Sequence, residues 1–138
     1  MKTKDLENTL NNIKNESSLN DYLKDIDGEL PSSFHEYFNS LLTIPKTELI
    51  QKSGIERTYA YHILDGSKSN PGRDKILRLC IAGSLSIEET NRCLKICKES
   101  PLYAKSKRDS LIQFALNQKL SVIDTNILLS DHHEDELS

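Results

Sequence analysis

A period of 35 residues constrains this chain more than any other feature. Arg73 to Leu94, RDKILRLCIAGSLSIEETNRCL, aligns without a gap to Arg108 to Leu129, RDSLIQFALNQKLSVIDTNILL. Seven of the 22 positions are identical: Arg73/Arg108, Asp74/Asp109, Leu85/Leu120, Ser86/Ser121, Thr90/Thr125, Asn91/Asn126 and Leu94/Leu129. Most of the others keep their apolar character, as at Ile76/Leu111, Leu77/Ile112, Leu79/Phe114 and Ile87/Val122. Each copy reads as a helix, a short polar loop, and a second helix that opens on a serine. Ser86-Ile87-Glu88-Glu89 has the pattern of a capping box, and Ser121-Val122-Ile123-Asp124 repeats it with a shorter acid. Helical hairpins with a period in this range bury their apolar faces against neighbours, and two copies are too few for a free-standing solenoid. The second hairpin is therefore expected to pack on the preceding domain as a C-terminal extension, reached through Ser100-Pro101-Leu102-Tyr103. It could also offer a surface to a protein partner.

Upstream, Lys46 to Gly66, KTELIQKSGIERTYAYHILDG, reads as two short helices around one glycine. Lys46 to Ser53 carries helix formers with Leu49 and Ile50 as its apolar residues. Gly54 stands where a sharp turn needs positive φ, and Ile55 follows as a hydrophobic plug. Tyr59, Ala60, Ile63 and Leu64 then recur at helical spacing, with small Ala60 allowing close approach. The opposite face holds Arg57, Thr58, Tyr61 and His62, whose side chains can hydrogen-bond base edges in a major groove. Further upstream, Phe34, Tyr37, Phe38, Leu41 and Leu42 lie at i, i+3, i+4, i+7 and i+8, which predicts another core helix.

These residues carry a resemblance. Leu49, Gly54, Ile55, Arg57, Tyr59, Ile63 and Gly66, the Asn70-Pro71 turn and the apolar helix of KILRLCIAGSLS resemble the lambda-repressor-like, XRE-type helix-turn-helix regulators over Ser33 to about Lys98. With NPGRDKILRL, LSIEETNRCLKI, PLY and the RDSLIQFAL repeat, the arrangement is similar to a subgroup with a helical C-terminal extension. The resemblance implies an all-α, lambda-repressor-like helix-turn-helix bundle with N-terminal amphipathic helices and an extra C-terminal hairpin. It implies a sequence-specific transcriptional regulator of double-stranded DNA, acting as a homodimer. Arg57, Thr58, Tyr61 and His62 would then read bases, and Lys46, Lys52, Ser67, Lys68 and Arg73 would grip phosphates.

Charge is distributed in keeping with that expectation. Residues 1–43 hold 4 Lys/Arg against 8 Asp/Glu, residues 44–108 hold 13 against 7, and residues 109–138 hold 1 against 6. A basic centre between acidic flanks suits one face that meets phosphates; the plainer alternative is that the cations only solvate helix surfaces. Glu56 and Asp65, at the two ends of the reading helix, favour a rival: an adaptor or antitoxin that keeps the helix-turn-helix shape but binds protein.

The other segments set limits. Residues 1–32 carry two thin apolar stripes, Leu6, Leu10 and Ile13, then Leu19, Tyr22, Leu23 and Ile26, and are expected to form an acidic helical arm. Domains are expected at 33–100 and 101–130, with an acidic disordered tail at 131–138. Cys80, Cys93 and Cys97 lack Cys-x-x-Cys spacing and suit buried apolar positions; His132 and His133 in the acidic tail offer no fixed metal geometry. No nucleophile–base pairing or phosphate-binding glycine loop is present, so neither an enzyme nor a cofactor or metal is expected. No apolar run is long enough to span a bilayer, and no signal-peptide core follows Met1, so no membrane association and a cytoplasmic location are expected.

Overall fold

A computed structural model describes residues 33–138, and the expected arm over 1–32 lies outside the described residues. The described residues are all-helical: α1 (Phe34–Leu41), α2 (Lys46–Ser53), α3 (Arg57–Leu64), α4 (Arg73–Ala82), α5 (Ile87–Ile96), α6 (Lys107–Asn117) and α7 (Val122–Asp131), with no strand. None of these helices is long and apolar enough to cross a membrane.

The first three helices wrap one side of the α4–α5 hairpin. On α1 the i, i+4 pair Phe34 and Phe38 turns inward, both buried, with ring centroids 5.2 Å apart. Asn39 Nδ2 donates to Leu64 O at 2.9 Å, so α1 satisfies a carbonyl at the open C-terminal end of α3. α2 lies on α4, where Leu49 and Leu79 are both fully buried. Gly83 marks the close approach: a Cβ added there would stand 3.7 Å from Leu49 Cδ1 and 3.3 Å from Leu79 O. Cys80, Cys93 and Cys97 are free thiols in the same interior, and burial drives the Cys97 thiol up to about 11.

The two repeat copies are not related by a simple translation. In a translational stack Arg73 would reach Asp109, while Arg108 would need the acid of a third copy. Instead the contacts are reciprocal. Arg73 forks onto Asp109 with Nη1–Oδ1 3.0 Å and Nη2–Oδ2 2.8 Å, and Arg108 forks back onto Asp74 with Nη1–Oδ1 3.1 Å and Nη2–Oδ2 3.0 Å. The remaining partners repeat with the same 35-residue offset: Leu102 N donates to Asn91 Oδ1 and Leu137 N to Asn126 Oδ1, each at 2.8 Å. Tyr103 N donates to Asp109 Oδ2 and Ser138 N to Asp74 Oδ2, each at 3.0 Å. Arg73 also donates to the carbonyls of Ser100 and Pro101, as Arg108 does to those of Asp135 and Glu136. The hairpins thus face each other about a local pseudo-two-fold, α4 against α7 and α5 against α6.

Helix ends obey the same symmetry. Ser86 caps α5 in a complete capping box, accepting from Glu89 N while Ser86 N donates to Glu89 Oε1. Ser121 caps α7 by accepting from Asp124 N at 3.0 Å. Each helix of both copies then stops on a left-handed residue that is not glycine: Ser84 at φ 55°, Lys98 at 59°, Lys119 at 55° and His133 at 62°. The next amides close the turns, Leu85 N to Cys80 O and Leu120 N to Ala115 O at 3.0 Å, Glu99 N to Leu94 O at 2.8 Å and Glu134 N to Leu129 O at 2.9 Å.

The expectation of a disordered tail over 131–138 is corrected. Leu137 is only 2% exposed, and its amide, the Asp135 and Glu136 carbonyls and Ser138 are all hydrogen-bonded as described. Acidic composition misleads here because the acids point outward while the backbone and one leucine make the contacts. Arg78 extends these contacts to the first helices, with Nη2 donating to Leu137 O at 2.7 Å, Nε to Ser138 O at 3.0 Å and Nη1 to Ser53 O at 3.0 Å.

Candidate nucleic-acid interface

The turn between α2 and α3 is fixed from several sides. Gly54 takes φ 69°, and a Cβ there would stand 2.9 Å from Arg78 Nη1, so both backbone conformation and space call for glycine. Buried Ser53 donates through Oγ to Ile50 O at 2.7 Å and accepts from Ile55 N at 3.2 Å, which seats Ile55 in the core. Glu56 is the N-cap of α3: its Oε1 accepts from Thr58 N at 3.0 Å and its Oε2 from Tyr59 N at 2.8 Å. The amides of Tyr59 and Thr58 hold the Glu56 carboxyl below its ordinary range. It therefore stays anionic where a helix N-terminus would otherwise attract a phosphate.

α3 divides its faces sharply. Ala60, Ile63 and Leu64 are buried, whereas Arg57, Thr58 and His62 are exposed and Tyr61 is half-buried. At about 100° per residue, Arg57, Thr58, Tyr61 and His62 span an arc of about 140°. The structure thus brings the four expected base-reading residues onto one open side. The Arg57 guanidinium lies 5.8 Å from the Tyr61 ring centroid, which restrains a flexible cation on an aromatic support. Tyr59 and Tyr61 both pack partly against the core.

At the far end of α3, Asp65 accepts from both the hydroxyl and the amide of Ser67, and these bonds hold its carboxyl below the usual value. Lys68 N donates to His62 O at 2.9 Å, leaving the exposed Lys68 side chain beside the end of the helix. On α2, Lys46 is exposed at the first position, and Lys52 pairs with Glu48 at 3.2 Å with more than half of its side chain in solvent. A surface pair of this kind is weak enough to exchange for another anion. Ser67 has its hydroxyl engaged by Asp65.

Arg73 does not belong with these residues. Among the described residues its hydrogen bonds run to Asp109, Ser100 O and Pro101 O, so its guanidinium closes the pseudo-two-fold. The expectation that it grips phosphate is therefore corrected: reaching one would break a bidentate pair whose carboxylate is only 8% exposed. Conversely, Thr47 and Gln51 line an open depression with Gly54, Glu56, Arg57 and Tyr61, and were not singled out from sequence. Their i, i+4 spacing on the polar side of α2 was the available signal.

Comparison of the chain with protein-family models, with curated proteins and with solved structures found no match in any of the three.

Proposed function

We propose that this protein is a sequence-specific double-stranded-DNA-binding transcriptional regulator in which α2 and α3 act as a helix-turn-helix of lambda-repressor-like, XRE type and α3 enters the major groove. The observation that carries this reading is the division of α3. Its apolar side is anchored in the core, and its outward side presents Arg57, Thr58, Tyr61 and His62 on a glycine-tightened turn. Arg57 is the residue suited to a bidentate guanine contact, and Thr58, Tyr61 and His62 supply further donors and acceptors. Lys46, Lys52 and Lys68 flank them and provide the sequence-independent attraction to phosphate. A homodimer would place two such helices in successive major grooves.

Fluorescence anisotropy with genomic duplexes at two salt concentrations tests the proposal. Binding is expected to weaken steeply with salt, and Arg57→Ala is expected to cost about 1–3 kcal/mol and to relax preference at one base position. An absence of binding at low salt, or binding indifferent to Arg57→Ala, would sink it.

A second reading has a specific observation in its favour. Glu56 already occupies two amides at the start of α3, which suits an adaptor or antitoxin that retains the shape of a DNA-binding domain and binds protein instead. Glu56→Gln separates the two: DNA affinity should rise if the carboxylate opposes phosphate, and stay absent if α3 meets no DNA.

A further inference from the structure

The pseudo-two-fold allows each surface of the second hairpin to be compared with its counterpart on the first. Phe114 on α6 corresponds to Leu79 on α4, and Ile127 on α7 to Arg92 on α5. In the first copy both positions lie under other helices. Leu79 is fully buried where α2 lies on α4, and the Arg92 guanidinium stands 5.3 Å from the Tyr37 ring of α1. In the second copy none of the described residues covers this face: Phe114 is 51% exposed and Ile127 53%. With isoleucine where the covered copy has arginine, the open copy is the more apolar at this position. Ile123, 73% exposed one turn before Ile127, widens the patch. All four large hydrophobic residues exposed among the described residues lie beyond position 100, and three of them are on this hairpin. Three such residues on one hairpin, two of them a turn apart on α7, point to a contact surface rather than scattered exposure.

We propose that this face of the second hairpin docks a basic amphipathic helix of a partner protein. The first copy supplies the precedent for a helix, since amphipathic α1 and α2 lie on its equivalent face. Charge supplies the sign. Exposed Asp124 and Asp131 bracket Ile127 at helical spacing on α7, a helix that carries no Lys or Arg. The same charge opposes a second copy, which would bring an equally acidic face. The proposal stands whether or not α3 reads DNA.

The test uses the full chain and a labelled synthetic Leu/Lys amphipathic peptide of about 18 residues, five helical turns. Saturable binding is expected, weakened at least tenfold by the uncharged double substitution Phe114→Ser with Ile127→Ser. Both sites are surface positions, and thermal denaturation would verify the fold of the variant. A matching Leu/Glu peptide is expected to bind at least tenfold more weakly than the Leu/Lys one. Equal binding of the two peptides, or affinity indifferent to the double substitution, would overturn the proposal. So would a chain dimer that Ile127→Lys dissociates, or a photo-crosslink from position 127 to residues 1–32 of the same chain.

Discussion

Four side chains in left-handed backbone show how local strain is distributed. Ser84, Lys98, Lys119 and His133 end helices at φ between 55° and 62°, where any Cβ is disfavoured and glycine is not. Ser84→Gly and Lys119→Gly are each expected to stabilise the protein by about 0.5–1 kcal/mol, the relief of the left-handed penalty outweighing the added freedom of the unfolded chain. Urea denaturation checks this, and loss of stability in both variants would mean that the side chains make compensating contacts. Glu56 offers a pH-dependent counterpart. Because the amides of Tyr59 and Thr58 lower its folded pKa, its contribution is fully present above the ordinary carboxyl range and is lost as pH falls through the lowered value. Glu56→Gln should therefore flatten part of the acid limb of a stability–pH curve measured by denaturant titration. The sequence places Glu56 at one end of the reading helix, but does not show that both of its oxygens are taken. Side-chain rotamers decide that, and one chain's residue order does not encode them visibly.

At the scale of elements, the bounds of α2 and α3 and the serine caps of α5 and α7 follow from turn and capping chemistry that a local reading captures. The mutual arrangement of the repeats does not follow. Identical Arg-Asp pairs in two copies are compatible with stacking or with facing each other, because the choice depends on long-range closure. The self-complementary order of Arg73-Asp74 and Arg108-Asp109 is the hint, and it also explains why Arg73 turns to Asp109 and not outward. Burial pushes the Asp109 carboxyl up, but the guanidinium of Arg73 and the amide of Tyr103 outweigh it and hold the acid below its usual range. Asp74 balances in the same way, burial against hydrogen bonds from Arg108 and Ser138. Asp109→Ala is expected to destabilise by about 2–3 kcal/mol, since it strands a partly buried arginine, and Asp74→Ala by about 1–2 kcal/mol because its pair is more exposed. Chemical denaturation of both variants checks the ranking; equal and small losses would make the pairs ornamental to folding.

Across the whole molecule, Arg78 joins what the chain order separates. Its guanidinium spans Ser53 O, at the end of the helix before Gly54, and the Leu137 and Ser138 carbonyls. Leu137→Ala should cost about 2–4 kcal/mol as a buried leucine, and its effect should be non-additive with Arg78→Ala because both release the same segment. A double-mutant cycle in urea reads that coupling. Hydrogen exchange at Gly54 and Ile55 should quicken in Leu137→Ala, and unchanged exchange would show that the segment and the turn are independent. This order near residue 137 was legible only by extending the repeat: Glu99/Glu134 and Leu102/Leu137 continue the identity past the aligned window, where acidity had suggested the opposite. The reciprocal pairing of the two hairpins has one more consequence. Both halves of the two-fold belong to a single polypeptide, tethered through Ala104, Lys105 and Ser106, so their encounter is unimolecular and insensitive to dilution. Most symmetric protein pairings fall apart as concentration drops; this one should hold its melting temperature in a single molecule observed alone.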